Sequence, residues 1–245
     1  MPVQDDERER ELVRMFNLEW DHAHQRSGVD ALLDIDVDGR QCRFEVEVKS
    51  STGSTVSTAR DVGMPHINRW RTMLFVIGFY SRDARRPELQ RCLCLTPVDM
   101  EPWIASIEAK ILPDYQLAEL ASRRLVLQDL FEVCEQQATY SIEDAKRLHK
   151  QQWTTEEYQA ALDTDVGGGR LRISQTKMLE ILRLRSLYIA ERGTTLNNPH
   201  ITKAHLATFE GTNRVVEGPN WARGVRSIAR EFVRNHPRHP AIQAR

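Results

Sequence analysis

At 245 residues, 40% hydrophobic and 28% charged, the chain has the size and composition of a globular protein, either one large domain or a core with an extension. No apolar run approaches the ~18 residues of a membrane span, and the charged N-terminus carries no signal-peptide apolar stretch, so a cytoplasmic protein with no membrane partner is expected. The net charge of −1 hides an asymmetry: residues 1–164 hold 20 Lys and Arg against 29 Asp and Glu, and residues 165–245 hold 14 against six. A basic last third is what a polyanion-binding segment would show, and equally what a solvated basic face would show.

In chain order, residues 5–25 read as a helix, because Leu12, Phe16 and Trp20 recur every four positions among charges. Ser27-Gly28 ends it. Residues 29–37 alternate as a strand, with Val29, Ala31, Leu33 and Ile35 on one face. Asp38-Gly39 is a hairpin turn signal, and residues 40–49 return as the second strand. A loop of small and hydroxylated residues, 50–58, precedes a helix over 59–71, interrupted near Gly63 and Pro65. Residues 74–80 form a buried strand, 82–88 a polar loop, 90–96 a further strand, and 97–112 a helix stopped by Pro113.

Beyond Asp114 the pattern is helical, over residues 115–137, 142–152, 155–162, 174–192 and 221–235. Ser141-x-x-Asp144 and Thr154-x-x-Glu157 have the form of capping boxes. Gly167-Gly168-Gly169 is a tight loop or joint. Cys42, Cys92, Cys94 and Cys134 are too few and scattered for a disulfide framework and read as free thiols, since Cys92-x-Cys94 lacks the second pair a zinc site would need. The expected fold is α/β: a mixed central sheet flanked by helices over residues 1–112, then a helical, partly basic extension over 113–245.

The chemistry concentrates in Phe44-Glu45-Val46-Glu47-Val48-Lys49. Period two sets Glu45, Glu47 and Lys49 on one face and the apolar residues on the other. A two-residue turn at Asp38-Gly39 pairs Val37 with Arg40, which in the ideal register brings Asp30 opposite Glu47; a longer turn or a bulge shifts it by a residue or two. Opposed residues on one face lie roughly 4.5–5.5 Å apart at Cβ. Two carboxylates that close repel one another unless a cation lies between them. Magnesium is held by one or two carboxylates with waters or substrate oxygens, and an adjacent lysine suits a reaction that builds negative charge on a phosphate.

Asp30, a hairpin, Glu47-Val48-Lys49 and then Ser50-Ser51 resemble the PD-(D/E)xK nuclease superfamily over roughly residues 5–112, with Val29 where the family's name has proline. The resemblance implies a restriction-endonuclease-like core that hydrolyses double-stranded DNA with Mg²⁺, for which Mn²⁺ can substitute. It implies Asp30, Glu47 and Lys49 as catalytic residues and Asp30 and Glu47 as metal ligands. Many members add an acid from the first helix: Glu19 is best placed, Glu11 is an alternative, and Glu45 could serve beside or instead of Glu47. A solitary chain of this kind resembles the type II restriction endonucleases. A repair or mobile-element nuclease, and a non-catalytic DNA-binding protein, are the competing readings, and a homodimer stays open.

Several residues are candidates for holding DNA. Ser50 and Ser51 follow the lysine, and His66 and Arg69 lie on the next helix. Residues 141–162 could form a helix-turn-helix-like pair, with Lys146 and Lys150 for phosphates and Gln151 and Gln152 for adenine edges. Arg170 and Arg172, beside the three glycines, form a mobile basic loop, Lys177 sits on the next helix, and Asn197 and Asn198 lie in a polar turn. For each of these a solvated surface residue is the plainer alternative.

Overall fold

The computed structural model describes residues 4–20, 29–82 and 87–245. The chain begins with helix α1 (Gln4–Met15) and a short strand β1 (Glu19–Trp20). The helix ends ten residues earlier than the Leu12, Phe16, Trp20 spacing suggests. Asn17 takes a left-handed φ of 50°, which breaks the helix and turns Trp20 into a strand residue paired with Ala31. Residues 21–28, which include the expected Ser27-Gly28 stop, lie outside the described residues.

Strand β2 (Ala31–Val37) and strand β3 (Arg40–Ser51) form the expected hairpin. Asp38 and Gly39 take φ of 55° and 85°, the positive pair that a mirror-image two-residue turn requires and that Asp-Gly supplies at least cost. Val37 pairs with Arg40 and Ala31 with Val46, so the ideal register holds without a bulge.

After β3 come strand β4 (Val56–Ser57), helix α2 (Met64–Trp70), strand β5 (Met73–Tyr80), strand β6 (Leu89–Leu95) and helix α3 (Pro97–Arg123). β5 runs parallel to β3 and antiparallel to β6. α3 does not stop at Pro113. A proline there removes one backbone donor, but the buried residues Ile104, Ile107, Ile111 and Ala118 carry one stripe across it. The expected helix over 115–137 therefore divides into the end of α3 and helix α4 (Leu127–Val133).

Strand β7 (Thr139–Tyr140), helix α5 (Ile142–His149), helix α6 (Thr155–Ala160), strands β8 (Thr164–Asp165) and β9 (Leu171–Ser174) and helix α7 (Gln175–Thr194) follow. Both capping boxes form: Ser141 Oγ accepts from Asp144 N–H and Thr154 Oγ1 from Glu157 N–H. The chain closes with strand β10 (His200–Ile201), helix α8 (Lys203–Ala207), strand β11 (Val215–Val216), helix α9 (Trp221–Asn235) and strand β12 (Gln243–Ala244). The short strands β7 to β12 carry no alternation long enough to be read in the sequence.

The chain divides into two units, Met1–Lys110 with Leu196–Arg245, and residues 111–195. The first boundary falls close to the expected 112, but residues 196–245, grouped in the sequence with the helical extension, rejoin the first unit. There they complete the sheet, whose order is β1-β2-β3-β5-β6-β11 with β12 against the start of β3. One face packs on α1 and α9 through Leu12, Phe16, Phe44, Val46, Val48 and Phe232, all buried. On the other, Trp70 of α2 stands edge-on to Phe75 and against Trp103 of α3. Burying each such side chain stabilises the fold by roughly 1.5–3 kcal/mol. The second unit is helical around a small sheet, β7-β9-β8, with its own core about Tyr140, Tyr158, Ile173 and Ile181. No helix among the described residues is long and apolar enough to cross a membrane.

Much of the basic excess serves the chain itself. Arg226 of α9 donates to the carbonyls of Phe16 and Asn17 at 2.8 and 2.7 Å, Arg230 to that of Asp36 at 3.1 Å, and Arg234 pairs with Asp38 at 3.0 Å. Arg245 reaches Asp34 and Arg214 reaches Asp99, at 3.1 and 2.7 Å. The Arg43 guanidinium beside Asp34, aided by Arg245, holds that carboxyl below the usual carboxylate range. The basic tail is complementary to the acidic sheet.

Gly78 of β5 lets α1 lie close to the sheet, because a Cβ there would sit 2.7 and 2.9 Å from the methyls of the fully buried Leu12. Gly78→Ala is expected to destabilise the protein by about 1–3 kcal/mol through overpacking. The urea midpoint should fall with the slope unchanged, and an unmoved midpoint would mean that α1 yields freely.

Candidate active site

β2 starts opposite Val46, so beyond that residue β3 has no β2 partner for its backbone. Asp30, the residue before β2, fills the gap with its side chain. Its Oδ2 accepts from the Val48 N–H at 2.9 Å, in place of a ladder bond. The same oxygen accepts from Lys49 Nζ at 3.0 Å, and Glu47 Oε1 lies 2.9 Å from that ammonium. Lys49 Nζ also donates to the Val48 carbonyl at 3.1 Å. Asp30, Glu47 and Lys49, separate in sequence, thus meet at one point, as the register required.

Glu9 completes the group. It projects from α1 to within 3.9 Å of Lys49 Nζ. The acid that the first helix brings toward Lys49 is Glu9, and neither of those singled out in the sequence. Glu19 stands on β1, 61% exposed, paired with Arg43 at 3.1 Å. Glu11 accepts from the Tyr80 hydroxyl at 3.2 Å. A signal for Glu9 did exist: it precedes Leu12 and Val13 by three and four residues, beside the stripe that α1 buries. Glu45 does not join either, because its carboxylate faces Arg69 at 3.5 Å.

The Lys49 side chain is only 12% exposed, so the cluster is governed by desolvation. Burial pushes the Glu47 carboxyl above its ordinary range; Lys49 opposes this and the Asp30 charge adds to it. Burial alone would drive Lys49 toward the neutral amine, but Glu47, Asp30 and Glu9 outweigh it and hold the ammonium firmly protonated. With all groups ionised, three carboxylates face one ammonium and leave a formal charge of −2.

That charge matches a divalent cation, and the donors are hard oxygens. Among the described residues no three His, Cys, Asp or Glu side chains are grouped as a metal cage; the carboxylates address the ammonium instead. Magnesium does not need a cage, since one or two carboxylates suffice. Asp30 and Glu47, which already flank a common cationic atom, fit it.

The other candidate residues are divided between the units. Ser50 alternates away from Lys49, and its hydroxyl is buried with no hydrogen-bond partner among the described residues. Ser51 is committed to its own loop, donating to the Thr55 carbonyl at 2.7 Å and accepting from Gly53. Asn198, with φ of 51°, accepts from the Thr58 N–H at 3.2 Å, so this turn is brought against the loop that follows the lysine, with Asn197 exposed beside it. His66 accepts from the Gly63 N–H at 3.4 Å, and burial followed by the Arg69 charge holds its pKa below the ordinary value. That leaves it a local cap on α2.

In the second unit Lys146 pairs with Glu143, Lys177 with Glu180, and Arg172 donates to the Thr139 carbonyl. Arg170 and Lys150 are exposed and enter no recorded ion pair among the described residues. Lys150 and Gln151 both take left-handed φ and Gln152 follows them, so the two glutamines lie exposed in the turn after α5 and not on a helix face. Cys42, Cys92 and Cys94 are buried free thiols, and burial holds Cys94 up to about 12.

Fold and site together define an α/β protein with a buried acidic and lysine cluster at a gap in the backbone ladder of a mixed sheet. No family model, curated protein or solved structure matches the chain.

Removing Lys49 would leave three carboxylates uncompensated. Lys49→Met is expected to cost about 3 kcal/mol or more in the absence of divalent cations. Urea denaturation in EDTA checks this, and a loss below about 0.5 kcal/mol, the level of an exposed pair, would mean that the carboxylates do not depend on the ammonium.

Proposed function

We propose that the protein is a divalent-metal-dependent endonuclease acting on double-stranded DNA, of the sequence-specific restriction type. The observation that carries the reading is the convergence of Asp30 and Glu47 on Lys49 Nζ, at 3.0 and 2.9 Å, at a gap in the backbone ladder. This adds a three-dimensional coincidence to the resemblance to PD-(D/E)xK nucleases.

Asp30 and Glu47 would hold the ion, with the Val48 carbonyl as a neighbouring oxygen and Glu9 behind Lys49. When bound, Mg²⁺ or Mn²⁺ polarises the phosphoryl oxygen and lowers the pKa of a water. Lys49 keeps a full positive charge where the phosphate gains negative charge, and partial burial strengthens that interaction over its value in water. The Val48 N–H and Lys49 both fix Asp30, so its carboxylate is set before substrate arrives.

A purely structural ion cluster is the competing reading, favoured by the full complement of partners around Lys49. Plasmid digestion separates the two. Cleavage is expected with Mg²⁺ and none in EDTA, and sequenced ends should share one site. Lys49→Ala is expected to lower cleavage by at least 100-fold while duplex affinity in Ca²⁺ changes little, the pattern of a contact made chiefly in the transition state. Undiminished cutting in EDTA would overturn the metal assignment, and near-normal cutting by a folded Lys49→Ala protein would remove the lysine from the mechanism.

For DNA binding, the ion pairs of Lys146 and Lys177 and the Thr139 contact of Arg172 leave Arg170 and Lys150 as the foremost of the cations named from the sequence. Replacing each by glutamine is expected to reduce the salt dependence of duplex binding by about one unit of slope, equally on specific and scrambled sequences. Changes at Gln151, Gln152 or Asn197 should instead relax preference at one base pair. Unaltered affinities and slopes across these variants, at several salt concentrations, would take them out of the interface.

A further inference from the structure

In the second unit α4 and α5 both pack on α7, and beside them lies a cavity of about 780 Å³, within the range that small-molecule sites occupy. Its wall is apolar where Leu125, Leu148, Leu182 and Ile189 line it, and Arg147, Lys150 and Arg185 add three cations. Three acids line it too, but two are committed. Asp144 caps α5, accepting from Ser141 N–H and Oγ at 2.9 and 2.7 Å, and also pairs with Arg147 at 2.8 Å. Asp129 caps α4, accepting from the Val126 N–H at 2.6 Å. Asp144 thus answers Arg147, and Asp129 and Glu135 are the acids that stand with Lys150 and Arg185 in the lining.

Arg185 is the distinctive member. Its Nη1 is buried and has no hydrogen-bond partner among the described residues. Its guanidinium lies 5.3 Å from the centre of the Tyr188 ring. After burial, its charge is the next cause holding the His149 pKa below the ordinary value. Buried donors are nearly always satisfied, and a guanidinium is the side chain best shaped to receive a carboxylate or a phosphate in two parallel bonds.

We propose that this cavity binds a small amphiphilic anion, with an apolar or aromatic body against the leucine wall and a carboxylate or phosphate on Arg185. Lys150, in the left-handed cap of α5, supplies a second charge to the same anionic group. The site lies wholly within residues 111–195 and does not depend on the nuclease reading.

The test is titration of the full-length protein with 8-anilinonaphthalene-1-sulfonate, a fluorescent aromatic anion, followed by competition. One saturable site is expected in the parent, at least tenfold weaker in Arg185→Met. Decanoate and AMP then compete in turn: displacement by decanoate identifies a carboxylate-headed ligand, and displacement by AMP a phosphate-headed one. Ala190→Trp, which fills the cavity and keeps Arg185, should also lose the site, and serves if Arg185→Met does not fold by circular dichroism. No saturable site in the parent overturns the proposal. So does parent-like dye binding by Ala190→Trp or by a folded Arg185→Met protein, or displacement by neither competitor.

Discussion

A positive charge taken out of water must be answered by negative charge close by, and in this protein that requirement falls on Lys49. Three elements meet to satisfy it: β3 carries the lysine and Glu47, the residue before β2 supplies Asp30, and α1 supplies Glu9. Each depends on a separate feature of the fold. The positive-φ pair at Asp38 and Gly39 fixes the register that sets Asp30 beside β3. The missing Cβ at Gly78 lets α1 approach closely enough for Glu9 to reach in. The early start of β3's unpaired edge leaves the Val48 N–H free for Asp30 instead of a neighbouring strand. A slip of one residue in the hairpin would move Glu47 and Lys49 to the opposite face and disperse the cluster.

The same logic of compensation runs through the rest of the first unit. Asp34, Asp36 and Asp38 concentrate negative charge along β2 and its turn, which Arg43 of β3 offsets in part, and the basic C-terminal segment adds to that. Arg234 and Arg245 pair with Asp38 and Asp34, and Arg230 binds the Asp36 carbonyl. The charge asymmetry of the sequence is therefore in large part an internal complementarity between distant segments. Among the cations proposed for DNA contact, Arg170 and Lys150 are the exposed ones that enter no ion pair among the described residues.

The hairpin and its register were legible because turn chemistry and period-two alternation are local. α9 was legible over its whole length because its apolar stripe is strong. Three features were not, each for a physical reason. The end of α1 was hidden because Leu12, Phe16 and Trp20 mimic a continuous stripe, whereas the break is a single backbone conformation at Asn17. Pro113 looked like a stop, but burial on both sides of it carries α3 through. Glu9 was one acid among several on a charged helix, and which of them turns inward is decided by the packing of Leu12 on the sheet. The return of residues 196–245 to the first unit rests on the apolar face of α9 together with two-residue strands and arginine contacts, and no local pattern announces which sheet that face covers.

Asp30 and Glu47, flanking Lys49, are the proposed ligands for a divalent ion. Titration with Mn²⁺, followed by electron paramagnetic resonance, tests it without reference to activity. The parent should show saturable Mn²⁺ binding that Mg²⁺ displaces, and both Asp30→Asn and Glu47→Gln, folded by circular dichroism, should lose it. Absence of saturable binding in the parent, or parent-like binding by both variants, would contradict the claim and leave the cluster a structural ion network.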